Sequence, residues 1–158
     1  MSQRRPILVA SSGAVLVAIL GGLASMPGPW YAALNKSALT PPDWVFAPTW
    51  TVIYATCVVC AVMGWRHAET SAQRTWLIWL FVANGALNVL WSVLFFTLKR
   101  PDWALVEVAA LWLSVGALIF FLRKLSNLAA LLLIPYLIWV SFAAYLNVQV
   151  TVLNGPFS

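Results

Sequence analysis

The chain has 158 residues, 63% of them hydrophobic and only 8% charged, with a formal net charge of +5. That balance lies outside ordinary soluble composition and assigns the chain to a membrane. Its nine basic residues form no run or patch of the kind that holds nucleic acid, so the positive charge is read as flanking membrane spans beside anionic lipid.

Five apolar runs occupy 7–24, 45–64, 76–98, 103–122 and 128–153. At about 1.5 Å per helical residue, roughly 20 residues cross ~30 Å of hydrocarbon, so each run is long enough to span. Residues 1–158 are therefore expected to form a single all-α integral membrane domain, a five-transmembrane-helix bundle with a long ordered loop between the first two helices. Arg4 and Arg5 precede the first run as they would in a secretory leader. The run is long for a leader's core, however, and cleavage near Ser25 would detach the loop from its leading helix, so the run is read as retained. Arg4, Arg5, Arg66, Arg74, Arg123 and Lys124 fall on one side of the membrane and Lys36, Lys99 and Arg100 on the other. The positive-inside rule then places the amino terminus in the cytoplasm and the first loop outside.

In the first run Ala10, Ala14, Ala18 and Gly22 recur every four residues and lay a groove of small side chains down one face. Such a groove serves close packing, within the bundle or across a homodimer seam. The connection that follows, 30–54, holds Trp30, Trp44, Trp50, Tyr31, Tyr54 and the Pro41-Pro42 step. The two prolines fix their own backbones and keep Thr40 extended, which prevents a helix from running through. A stiff aromatic segment of low charge is expected to lie on the bundle as a lid.

The second helix is expected to open at Asp43 or Trp44, with Asp43 capping free amides and Pro48 in the first turn, where its missing N–H costs little. Phe46, Trp50, Tyr54 and Cys57 then share one face. Cys57 and Cys60 form a Cys-x-x-Cys pair, but they sit mid-span with no second pair, which favours small packing residues over a metal or redox site. His67 falls in a short polar loop and is read as solvated. In the third run Asn84, Asn88, Trp91 and Phe95 share a stripe. Two carboxamides in hydrocarbon need partners, so this stripe faces protein or a lined cavity. Helix-to-helix hydrogen bonds satisfy that need, and for Asn88 a ligand contact satisfies it equally.

The fourth helix is expected to start at Pro101 and Asp102 and to act as scaffold, with Glu107 snorkelling to the interface or meeting Lys99 or Arg100. In the fifth run Pro135 removes one backbone bond, frees the carbonyl of Leu131 and predicts a bend. Beyond it Tyr136, Trp139, Ala143 and Asn147 share one face, with Ala143 leaving a gap for a flat guest. The chain has no phosphate loop, no Ser-His-Asp set, no paired carboxylates and no metal spacing. Conventional acid-base or nucleophilic catalysis is excluded. Aromatic stripes carrying a few amides suit an apolar planar ligand held by stacking and directed hydrogen bonds.

Four blocks carry a resemblance: Trp30-Tyr31 with Leu34-Asn35-Lys36; Pro41-Pro42-x-Trp44-Val45-Phe46 with Trp50 and Tyr54; Asn88 with Trp91 and Phe95-Phe96; and Pro135-Tyr136-x-x-Trp139 with Leu146-Asn147. In this order, over nearly the whole chain, they resemble the translocator protein family (TspO/MBR), also called tryptophan-rich sensory proteins or peripheral-type benzodiazepine receptors. The resemblance implies a bacterial member in the cell membrane, commonly a homodimer among lipid, whose first loop closes a pocket among the first, second, third and fifth helices. It implies a receptor or carrier for porphyrins such as protoporphyrin IX and haem, with a sensory or tetrapyrrole-regulating role. No cofactor is required and no metal is held by the chain; porphyrin is the ligand. By motif the ligand-binding residues are Tyr31, Pro42, Trp50, Asn88, Trp91, Trp139, Ala143 and Leu146. An alternative is light-dependent degradation of protoporphyrin IX, for which Trp50 and Trp139 are the matching tryptophans. A further alternative is transport of sterol, lipid or porphyrin. No basic residue follows Asn147, so the animal proteins' cholesterol-recognition pattern is absent and sterol is the weaker ligand.

Overall fold

A computed structural model describes residues 4–157, and every described element is helical. Its elements are α1 (Arg4–Ala24), α2 (Pro29–Ala33), a single 3-10 turn at Asp43–Val45, α3 (Phe46–His67), α4 (Ser71–Ser92), a π-helical turn at Val93–Thr97, α5 (Pro101–Arg123), α6 (Asn127–Leu132) and α7 (Ile134–Asn154). Five of the resulting segments are long and apolar enough to cross a membrane: Arg4–Ala24, Asp43–His67, Ser71–Thr97, Pro101–Arg123 and Asn127–Asn154. Each overruns the apolar run that marks it, because helices continue past the hydrocarbon into flanking polar residues.

The spans form a ring in which α1 packs on α3 and α4, α4 on α5, and α5 on α6 and α7. The ring closes where α3 meets α6 at the end of the bundle that also holds the first residues of α1. Many large apolar side chains, among them Val9, Leu16, Val52, Val106, Ile138 and Val152, point outward and are exposed. In lipid such exposure costs nothing, and the helices instead hold together by close packing and interhelical hydrogen bonds. Leu111, Val115, Leu118 and Leu122 make α5 the most buried face, against Leu77, Cys60, Leu133 and Tyr136.

Several local expectations are changed. On α1 the contact point is Gly21, not Gly22: a side chain at 21 would meet the Tyr54 hydroxyl at 3.7 Å, whereas Gly22 faces open space. A straight helix gains 100° per residue, so a four-residue repeat drifts off its face and the buried series moves from Ala14 and Ala18 to Gly21. Asp43 does not cap α3. It opens the 3-10 turn, after which α3 begins at Phe46 with no side chain on its first amides, and Pro48 falls in that first turn as expected. The bend at Pro135 is a full interruption: α6 ends at Leu132, Leu133 turns, and Pro135 is the second residue of α7. Proline fits there because its missing N–H is among those a helix start leaves unpaired.

The turn between α3 and α4 carries a complete capping box. Thr70 Oγ1 accepts from Gln73 N at 3.2 Å and Gln73 Oε1 accepts from Thr70 N at 3.1 Å. At the other end of the bundle the π-helical turn widens the last turn of the third span, with Leu98 N donating to Val93 O at 2.8 Å. Lys99 then takes a left-handed φ of 55° and swings the chain into α5.

Candidate functional site: an aromatic seam beneath a docked loop

The loop after α1 lies on the bundle end formed by Phe95, Ala104 and Val150. Trp30 meets Phe95 edge-on at 6.1 Å, and Tyr31 meets Phe95 at 6.4 Å and Phe96 at 5.3 Å. The π-helical turn is what presents those two phenylalanines side by side, 4.8 Å apart. Asn35 and Asn154 tie the loop down reciprocally: Asn35 N donates to Asn154 Oδ1 at 2.8 Å and Asn154 Nδ2 donates to Asn35 O at 2.9 Å. Lys36 stands 4.2 Å over the Tyr31 ring. Burial, with the Asp43 carboxylate adding to it, holds the Tyr31 phenol above its ordinary pKa, so it stays a neutral O–H. The loop thus caps the third, fourth and fifth spans at the end where all three basic residues of that side, Lys36, Lys99 and Arg100, gather. Pro42 is exposed.

Beneath the cap the expected site residues fall into three linked groups. Trp91 stacks on Phe95 at 5.1 Å, continuing the cap inward, and its indole N–H donates to Asn147 Oδ1 at 3.1 Å. Trp50 stacks on Tyr54 at 5.6 Å, and the Tyr54 hydroxyl donates to Asn88 Oδ1 at 2.7 Å. Trp50 also meets Tyr136 of α7 edge-on at 6.2 Å. Trp139 meets Phe46 of α3 at 5.8 Å and Phe142 at 5.9 Å. Ala143 and Leu146 are half-buried on α7.

These pairings define a seam. The backbones of α3 and α7 run antiparallel, α3 packs on α6 below, and aromatic side chains join α3 to α7 toward the loop end. Trp50 pairs with Tyr136, and one turn nearer the loop Phe46 pairs with Trp139. Outside this ladder lies a cleft of about 540 Å³ lined by Pro48, Thr49, Val52, Ile53, Pro135, Ile138, Trp139 and Phe142. Trp139 forms its wall, while Trp50 is turned inward onto Tyr54. The two indoles share one seam a turn apart; they are not opposite faces of a single slot. The Trp139 indole N–H is buried and has no acceptor. A buried donor without a partner is costly.

Other polar groups in the span interiors act as fasteners. Asn84 donates to Ser114 Oγ at 2.8 Å and accepts from the Tyr136 hydroxyl at 3.1 Å, joining α4, α5 and α7. Asn147 donates to Pro101 O at 2.8 Å while accepting from Trp91, joining the same three helices one level nearer the loop. Cys60 donates to Ala129 O at 3.3 Å and so serves the α3–α6 contact. No group of three or more His, Cys, Asp and Glu is positioned for a metal among the described residues.

Glu107 corrects its expectation. It does not snorkel: it is 8% exposed, and neither carboxylate oxygen has a hydrogen-bond partner among the described residues. Arg100, the expected partner, is engaged by Asp102, with Nε on Oδ1 at 2.8 Å, and its guanidinium also covers Trp103 at 4.2 Å. Reading the sequence as scaffold missed Glu107 because its distance from the interface in residues does not tell which face of α5 it occupies. The cleft's other walls were also missed, although Thr49 with Ile53 and Pro135 with Ile138 and Phe142 carry the helical spacing that would have disclosed them.

The family comparison agrees with this geometry. The family model described as TspO/MBR matches residues 9–153, which takes in all five spans and the loop. The chain belongs to the TspO/MBR family. It is 37% identical over 151 residues to a tryptophan-rich protein TspO of Archaeoglobus fulgidus, covering 94% of this chain and 97% of that protein. It is 37% identical over 133 residues to a tryptophan-rich sensory protein of Cereibacter sphaeroides, covering 84% and 82%. It is 34% identical over 149 residues to the translocator protein of Sus scrofa, covering 90% and 88%. This TspO/MBR member is accordingly an integral membrane protein, and eight of its ten tryptophans fall into two kinds. Trp44, Trp76, Trp79 and Trp103 are exposed near the ends of the spans, where indoles anchor to the lipid interface. Trp30, Trp50, Trp91 and Trp139 build the cap and the seam.

Proposed function

We propose that this chain is a membrane receptor and carrier that takes a porphyrin, or a similar planar hydrophobic molecule, into the α3–α7 seam from the surrounding lipid. The single observation that supports this reading best is Trp139: its ring walls a cleft of about 540 Å³ and its buried N–H lacks an acceptor. Sites for small molecules are commonly ~300–1,000 Å³, mostly apolar, and carry a few unsatisfied polar groups that orient the guest. The cleft opens between Val52 and Ile138, both strongly exposed on the lipid-facing surface. An apolar guest that partitions into the bilayer therefore reaches it without crossing water. Parting of the Phe46–Trp139 and Trp50–Tyr136 pairs would let the guest pass inward to Tyr54, Asn88 and Trp91, beneath the cap formed by Tyr31 and Phe96. A porphyrin's acidic side chains would turn to the loop end, where Lys36, Lys99 and Arg100 offer the complementary charge. In this reading the loop faces outward from a bacterial cell membrane, the amino terminus is cytoplasmic, and the protein needs no cofactor.

The test is a titration of the detergent-solubilised protein with protoporphyrin IX, followed by quenching of tryptophan fluorescence. The Trp50→Phe, Trp139→Phe double variant is expected to bind at least about tenfold more weakly, a loss of roughly 1.4 kcal/mol. Equal affinities would overturn the assignment.

A further inference from the structure

Glu107 is the one buried acid of the spans whose two oxygens both lack partners among the described residues. Its position follows from the register of the helices around it. Ala104, Glu107, Leu111 and Ser114 form one stripe of α5 at helical spacing. The stripe faces α4 at both ends, since Ala104 packs with Phe95 and Ser114 accepts from Asn84. Interpolating between those contacts sets Glu107 against α4 at the depth of Trp91 and Ser92. On the α7 side, Pro101 pairs with Asn147 and Trp112 with Ser141, which sets the same depth at Ala143 and Ala144. Glu107 therefore stands at the depth of Trp91 and Ala143.

Among the described residues no cation is paired with it. Arg100 is held by Asp102, Lys36 lies over Tyr31, Lys99 is exposed, and the neighbouring side chains Asn84 and Asn147 are hydrogen-bonded to other groups. An ionisable side chain kept inside a membrane bundle without a partner is costly and implies a partner supplied from outside. A carboxyl group answers best to a nitrogen carrying hydrogen, and a charge-assisted bond in a dry site is stronger than a neutral one.

We propose that Glu107 is the recognition element at the inner end of the ligand site, and that it selects planar hydrophobic molecules bearing a protonated amine or an N–H group over neutral rings of the same shape. This rests on the reading that the aromatic seam and cap admit planar guests. It adds a direction: the N–H-bearing edge of the guest points to α5, and acidic substituents point away from it toward the loop end.

The experiment measures binding of 9-aminoacridine, a three-ring amine, and of anthracene, its neutral counterpart in shape, to the full chain in one detergent. Wild type, Glu107→Gln and Glu107→Met are compared, each checked for an intact thermal transition. Glu107→Gln is expected to weaken 9-aminoacridine about tenfold while changing anthracene by less than about twofold. Glu107→Met is expected to give the same split, so the result stands on either variant that folds. An unchanged 9-aminoacridine affinity, or equal losses for both molecules, would overturn the proposal. If neither molecule nor protoporphyrin IX binds wild type, the seam reading itself fails, a different outcome from binding that ignores Glu107.

Discussion

Asn147 and Glu107 lie about one helical turn apart in depth, and both are buried between helices, yet they meet opposite fates. Asn147 donates its amide N–H to Pro101 O and accepts the Trp91 indole N–H on its carbonyl, so three helices are fixed by one side chain. Neither oxygen of Glu107 has a hydrogen-bond partner among the described residues. Two polar residues in the same apolar surroundings thus do different work. A carboxamide carries donor and acceptor together and satisfies itself on backbone and indole, whereas the Glu107 carboxyl meets no partner among the described residues. Interior polarity in this bundle therefore divides into fasteners, which hold the frame, and unpaired groups, which the proposed function assigns to a guest.

Removing a member of each class separates them. Asn147→Ala strips the partners from Pro101 O and Trp91 Nε1, at a cost of about 2 kcal/mol for the two lost bonds. Thermal unfolding in detergent should shift down by roughly 4–8 °C. Glu107→Leu should move the opposite way, up by roughly 2–4 °C, because it relieves ~1 kcal/mol of unpaired polar burial without breaking any bond. A fall as large as that of Asn147→Ala would mean that Glu107 is a fastener after all. Tyr136→Phe removes only the hydroxyl that Asn84 accepts from, and Asn84 keeps Ser114. Its cost is expected near 0.6 kcal/mol, the typical value for one interhelical bond in a membrane, or roughly 1–2 °C. Asn154→Ala is the smallest in stability, within about 1 °C, because its bonds to Asn35 lie at the exposed end of the bundle. It should nevertheless speed dissociation of bound protoporphyrin IX several-fold in stopped-flow displacement, since the loop it frees covers the site.

The division also explains what could be read from the residues in order. Five spans and a rigid loop were legible because apolar run length, Pro41-Pro42 and Pro135 act locally, through the chain's own backbone. The stripes bearing Trp50, Trp91 and Trp139 were legible because helical spacing alone sets them on a face. What the faces meet was not. Nothing in the spacing of Trp91 tells that its N–H is consumed by Asn147, or that Trp50 turns onto Tyr54 while Trp139 walls an outer cleft. Those are properties of the α3–α7 and α4–α5 registers, fixed by packing between distant segments. Glu107 is the sharpest case. A position near the span's start suggested the interface, and only the rotation of α5 against α4 buries it.

The central claim is the place of the guest, a seam between α3 and α7 that opens to lipid on one side and leads beneath the loop on the other. The direct measurement is to irradiate the protein with a diazirine-bearing porphyrin and to map the adducts by mass spectrometry. Adducts concentrated in residues 46–53 and 135–142, and displaced by unlabelled protoporphyrin IX, are the predicted result. Adducts confined to the outer face of α5 around Trp112 and Leu113, or scattered over the exposed side chains of α1 with no displacement, would contradict it.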